Sequence, residues 1–196
     1  MKIVINILLV GLIGLLGYLL YANIKEPIEF QKVKTKRERA VVEKLMEIRQ
    51  MQEFYRAIEG SFASDFDTLT HVLSTKDFMV INVQGDPDDP NFDISQITFD
   101  TTYFPAIDSI TAMGINLDSL SLVPFAPAGT SFDIQADTIE YQKTMVHVVE
   151  VGVIRKKFMG AYGDDRFKKY DSRYKPNALL KFGDMNTPNT AGNWER

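Results

Sequence analysis

The acidic run GDPDDPNFD, residues 85–93, comes nearest to a recognisable chemistry. Asp89, Asn91 and Asp93 offer oxygens at alternate positions, and Asp100 follows a few residues on. Oxygen ligands at such spacing suit a hard cation such as calcium. Two features depart from a calcium loop: Ile94 stands where a sharp-turn glycine belongs, and Asp100 is shorter than a bidentate glutamate. An ordinary solvated acidic loop explains the same residues, so no metal ligand is assigned.

The other reactive residue types are sparse. His71 and His147 lie far apart with no partner at ligand spacing, and both read as packing or surface residues. There is no cysteine, hence no thiol chemistry and no disulfide. No phosphate-binding loop, G-x-S-x-G elbow or H-E-x-x-H helix occurs. Asp164, Asp165 and Arg166, flanked by Tyr162 and Tyr170, form a polar aromatic stretch that fits either a partner contact or a loop with satisfied ion pairs. The expectation is a chain that is not an enzyme, with no catalytic residue, no cofactor and no metal. The competing reading, an anchored enzyme or ligand-binding module, would need two carboxylates facing each other across a cleft.

What must position these residues begins with an apolar run. Residues 3–22 read IVINILLVGLIGLLGYLLYA, with no charge and Asn6 as the only amide. At ~1.5 Å per residue such a helix spans ~30 Å, the thickness of a bilayer's hydrocarbon. The run exceeds the apolar core of a signal peptide, and its one candidate cleavage site, Leu20-Tyr21-Ala22, has a large residue where a small one is preferred. The expectation is therefore an uncleaved membrane anchor contacting the lipid bilayer through residues 3–22. Gly11, Gly14 and Gly17 drift slowly around that helix, which suits close helix approach but also matches the ordinary glycine content of membrane helices.

The chain has 196 residues and a net charge of -4, which argues against nucleic acid as a partner. Basic residues gather at 32–39 and again at 155–169, while 65–137 is acidic. The first basic group adjoins the anchor, where it can touch anionic headgroups or form a solvated, ion-paired helix face. By the positive-inside rule alone, the basic residues after the apolar run favour a cytoplasmic domain.

Pro27 interrupts the helix just past the membrane. A second helical run covers 32–59, with Val41, Leu45, Ile48, Met51, Tyr55 and Ile58 as its apolar stripe and Gly60 as its C-terminal cap. The stripe lasts under three heptads, which leaves a coiled coil possible but suits core better. Ser64 caps a short helix over 65–73. Strands follow at 78–83, 96–104, 117–125, from Phe132 through Ala136, at 144–153 and at 179–182, with a helical turn over 106–112 ending at Gly114. Phe125 and Phe132 read as sheet core, and residues 154–169 as helical or irregular.

The fold class expected is α+β: a transmembrane helix continuing past a proline into a long amphipathic helix packed on a mainly antiparallel sheet. Its parts are an anchor over 1–24, a juxtamembrane and amphipathic helix over 25–60, and a soluble α+β domain over 61–196.

This order of parts resembles type IV pilins and type II secretion pseudopilins. The likeness is carried by Ile48-Arg49-Gln50-Met51-Gln52-Glu53-Phe54-Tyr55, then Gly60-Ser61-Phe62 and Leu69, where a tyrosine precedes a glycine-small-aromatic turn and a short helix. It covers roughly the first seventy residues. No glycine precedes the apolar run and no acid lies within it, so the cleavage signal and helix glutamate of those families have no counterpart. The chain is also similar to anchored envelope proteins of the Bacteroidota, in Asp118-Ser119-Leu120, Val123-Pro124-Phe125 and Gly192-Asn193-Trp194-Glu195. These resemblances imply a single-pass protein of the inner membrane with its domain in the periplasm, contacting other membrane or envelope proteins. The function expected is that of a structural or assembly subunit, or else a pilin-like filament subunit of a secretion system.

Overall fold

The computed structural model describes residues 2–84 and 98–195. Its first element is one helix, α1, Lys2–Glu59, with Pro27 inside it. At ~1.5 Å per residue its 58 residues make a rod ~87 Å long. The expected interruption at Pro27 does not occur. A proline ring removes one backbone donor and crowds the preceding turn, and the contacts made on either side of it, described below, hold the rod together. Gly60 ends the helix at φ 78°, its N–H reaching the Arg56 carbonyl at 2.8 Å. A residue without a Cβ takes that left-handed turn at no steric cost.

From Ile3 to Ile24 every large apolar side chain is exposed, Ile3 at 77% and Leu19 at 48%. Mean hydropathy over 18 residues of this stretch reaches 2.6. Among the described residues this is the one helix long and apolar enough to cross a membrane.

Beyond this stretch, α1 becomes the spine of the core. Val41, Leu45, Ile48 and Met51 are fully buried, Tyr55 is nearly so, and Ile58 packs at the edge. Helix α2, Phe66–Thr75, buries Leu69, Val72 and Leu73 against it. Its cap is Asp65, not Ser64. Asp65 accepts the Thr68 N–H at 2.7 Å, and its carboxyl is held below the usual range chiefly by that bond.

Strands β1, Asp77–Gln84, and β2, Thr98–Pro105, form an antiparallel ribbon by themselves. Helix α3, Ala106–Ala112, closes on Gly114. A second antiparallel sheet has the order β3-β4-β5, with β3 at Asp133–Tyr141, β4 at Thr144–Ile154 and β5 at Leu179–Gly183. Central β4 buries Val148, Val149, Val151 and Val153, which explains why it is rich in valine. The strands were expected to share one mainly antiparallel sheet. They divide in two because β2 leads into α3 rather than pairing with β3.

The expected strand over 117–125 is absent. Asn116 accepts the Asp118 N–H at 2.9 Å and opens a 3-10 turn, Leu117–Ser119. The buried residues are Leu120 and Val123, three apart, so the apparent alternation had the wrong period. Phe125 corrects a further expectation. It is 46% exposed at φ 61°, with the Lys36 and Arg37 head groups over its ring, whereas Phe132 is core.

Between β4 and β5 the chain runs through α4, Arg155–Met159, and two 3-10 turns, Gly160–Tyr162 and Asp165–Lys169. This segment travels back along α1 toward the anchor.

Candidate functional site

Residues 155–174 form a collar around α1 just beyond the apolar run. Arg155 pairs with Glu38 at 2.9 Å, and Arg37 donates to the Phe158 carbonyl at 2.7 Å. About one turn nearer the apolar run, Lys34 pairs with Asp171, whose carboxyl is held below the ordinary range by that contact. Nearer still, Phe30 is fully buried in a ring of aromatics. It stacks on Phe167 with centroids 5.3 Å apart and 9° between planes, and meets Tyr174 edge-on at 5.1 Å. Tyr162 closes on Phe167 at 5.0 Å. Buried Tyr174 donates to the Tyr162 carbonyl at 2.8 Å, and burial raises its phenol pKa to about 12.

The collar's last attachment is Glu26, two residues past Ile24. The Tyr170 hydroxyl donates to its carboxylate, and Lys169 and Arg166 lie 3.6 Å and 4.0 Å away. The Tyr170 bond, helped by the two cations, holds the Glu26 carboxyl below its ordinary value. The sequence showed Tyr162, Asp164, Asp165, Arg166 and Tyr170 as a polar aromatic stretch but did not pair it with Phe30 and Glu26. One signal was available: Phe30 precedes Val41 by eleven residues, three helical turns, and so shares the face of the stripe. Between them Lys34, Arg37 and Glu38 take up that face with ion pairs, which hid its continuity.

At the other end of α1, among the described residues, the β1–β2 ribbon is fastened at its base. Phe54 meets Phe78 edge-on at 5.1 Å, Lys76 pairs with Glu59, and the Ala106 N–H reaches the Lys76 carbonyl at 3.2 Å. Further out, Met79 pairs with Tyr103 on one face and Phe78 with Phe104 on the other. Met79, Val80, Tyr103 and Phe104 are 59%, 41%, 62% and 50% exposed. A two-stranded ribbon is marginal alone, and apolar groups on both faces leave it in want of cover.

Of the calcium candidates, Asp89, Asn91 and Asp93 lie outside the described residues, and Asp100 sits exposed on β2. Among the described residues no three potential ligands converge. His71 is on α2, exposed, lining a shallow open hollow of about 680 Å³ with Asp67 and Asp118. His147 is on β4, with its Nδ1 2.8 Å from the Thr138 hydroxyl across to β3. The two histidines are not brought together.

The class these features define is an α+β domain carried on an N-terminal helix that could cross a membrane, with a layout compatible with that of pilins. No protein-family model, curated protein or solved structure matches the chain.

Proposed function

We propose that this chain is a single-pass anchored subunit of the bacterial envelope that works structurally, through contacts with other membrane or envelope proteins. In this reading α1 holds the domain on the periplasmic side of the inner membrane and presents the β1–β2 ribbon away from it. The observation that carries the reading is the pair of uncovered apolar surfaces at opposite ends of one rod, the anchor and the ribbon. The first fits lipid and the second fits protein, because the ribbon alternates its exposed apolar groups with backbone edges open to pairing. A photoreactive residue at position 103, activated in intact cells, should cross-link to a defined membrane protein or to a second copy. Recovery of the uncross-linked monomer alone, at native expression, would remove the assembly role. Protease protection tests the side of the membrane.

A pilin-like filament subunit is the second reading, favoured by the unbroken passage of α1 through Pro27 into the domain. Sequencing the mature N-terminus decides it: removal of a short leader supports a filament subunit, and an intact Met1 counts against one.

A further inference from the structure

We propose that the collar is a lipid-reading surface, seated on anionic phospholipid headgroups around the anchor through Arg166, Lys168 and Lys169. The proposal rests on the anchoring reading above.

Four observations carry it. First, the fold brings together the two basic segments that the sequence keeps far apart. The Glu38–Arg155 and Arg37–Phe158 contacts bridge separations of 117 and 121 residues, and both segments lie on the anchor side of the domain. Second, the axial position is fixed. Glu26 lies two residues, ~3 Å, beyond Ile24 along the helix. The headgroup layer on each side of a bilayer is roughly 5–8 Å deep. Groups fastened to Glu26 therefore lie within that layer. Third, the cations outnumber what the acids can neutralise. Residues 164–175 hold five basic and three acidic side chains in a chain of net charge -4. Glu26 alone faces both Arg166 and Lys169, while Lys168 has Asp165 at 2.8 Å. The Arg166, Lys168 and Lys169 side chains are 64%, 49% and 57% exposed, so their pairs are open to exchange with phosphate. Fourth, the platform beneath them is rigid. Phe167 and Tyr170 carry Arg166 and Lys169 over their rings at 4.5 Å, and both rings pack on Phe30. A tyrosine at the level of the headgroups is itself a common interfacial anchor.

Because the chain has no cysteine, a single Ser172→Cys replacement accepts an environment-sensitive dye at one known place beside the collar. Ser74→Cys, on α2 and roughly 50 Å along the rod, serves as reference. The full chain is placed in nanodiscs of phosphatidylcholine alone or with about 30 mol% phosphatidylglycerol, a composition that supplies a negative surface potential. The label at 172 should shift on adding the anionic lipid, and the one at 74 should not. About 0.5 M salt should suppress the shift, since screening then acts over a few ångströms. Each single Lys or Arg to Gln change should weaken the response roughly fivefold, and the triple variant should abolish it.

Equal signals in the two nanodiscs, or an unchanged signal in a folded triple variant, overturn the proposal. So does inorganic phosphate reproducing the shift in phosphatidylcholine alone, which assigns the cations to a soluble anion. A chain released from membranes by alkaline carbonate overturns the anchoring reading and the headgroup contact with it. A chain that is retained while the signals stay equal overturns the headgroup contact alone.

Discussion

The two ends of the domain are built on opposite terms. At the collar, each polar group that α1 turns inward meets a partner: Glu38 with Arg155, Arg37 with a carbonyl, Lys34 with Asp171, Glu26 with Tyr170. Phe30, Phe167 and Tyr174 beneath are shut away from water. At the ribbon, Met79, Tyr103 and Phe104 stand exposed with no such closure. The collar packs on α1 through these internal contacts and leaves Arg166, Lys168 and Lys169 exposed on its outside. The ribbon's apolar side chains lack such closure, which the proposed partner contact would supply. Under the proposed function the two are complementary, because a partner site is useful only if its height above the membrane is set.

The strongest way to break this contrast is Phe30→Ala. Removing a fully buried ring that touches four aromatics should cost ~3–5 kcal/mol, read by denaturant unfolding, with faster tryptic cutting at Arg166 and Lys169. Gln52→Ala should come next. The Gln52 amide bonds both the Ala63 N–H and its carbonyl at 2.9 Å and 3.0 Å in the core. Its loss leaves two buried groups unsatisfied, at ~1–3 kcal/mol.

A smaller effect of opposite sign is expected at the β3–β4 hairpin. Gln142 and Lys143 both sit at positive φ, 49° and 67°, a turn that prefers Asn-Gly. That double replacement should stabilise by about 1 kcal/mol, measured as a higher unfolding midpoint.

The pH response should also localise to the collar. Glu26 and Asp171 lie below their ordinary values of 4.5 and 3.8, so what they contribute is complete above pH 4.5 and is lost as acid carries the pH down through their folded values. Tyr174 lies above its ordinary 10.0, so its share is complete below pH 10.0 and is lost as the pH rises through about 12. Hydrogen exchange at 160–174 should quicken at both extremes before the ribbon's does.

The smallest effect on stability is expected at Tyr103→Ser, within ~0.5 kcal/mol for the isolated chain. Cross-linking to the partner should nonetheless fall sharply. A large loss of stability there would show that the ribbon is part of the core, and the contrast would fail.

Much of the fold was legible because its signals are local. Twenty uncharged residues at 3–22 announce a helix suited to lipid, and Val41, Leu45, Ile48, Met51 and Tyr55 repeat at helical spacing whatever lies against them. Valine-rich 144–153 reads as a central strand for the same reason, and Gly114 and Gly60 mark ends that need positive φ. Where the reading failed, two local patterns competed. Residues 117–125 alternate on paper, but Asn116 and Pro124 favour turns, and burial follows Leu120 and Val123.

The collar lay beyond such reasoning. Composition gave two basic segments and a few scattered aromatics, each plausible as a solvated surface. Nothing in either segment says that Glu26 will accept from Tyr170, 144 residues later, or that Phe30 will stack on Phe167. The sequence by itself determined an apolar helix suited to lipid, the helical spine and most strands, since periodicity and hydropathy act over a few neighbouring residues. The tertiary structure alone decided that the strands divide into two sheets and that cations far apart in the chain meet beside the anchor. Those outcomes depend on which distant surfaces fit together, and that fit is a property of the folded chain as a whole.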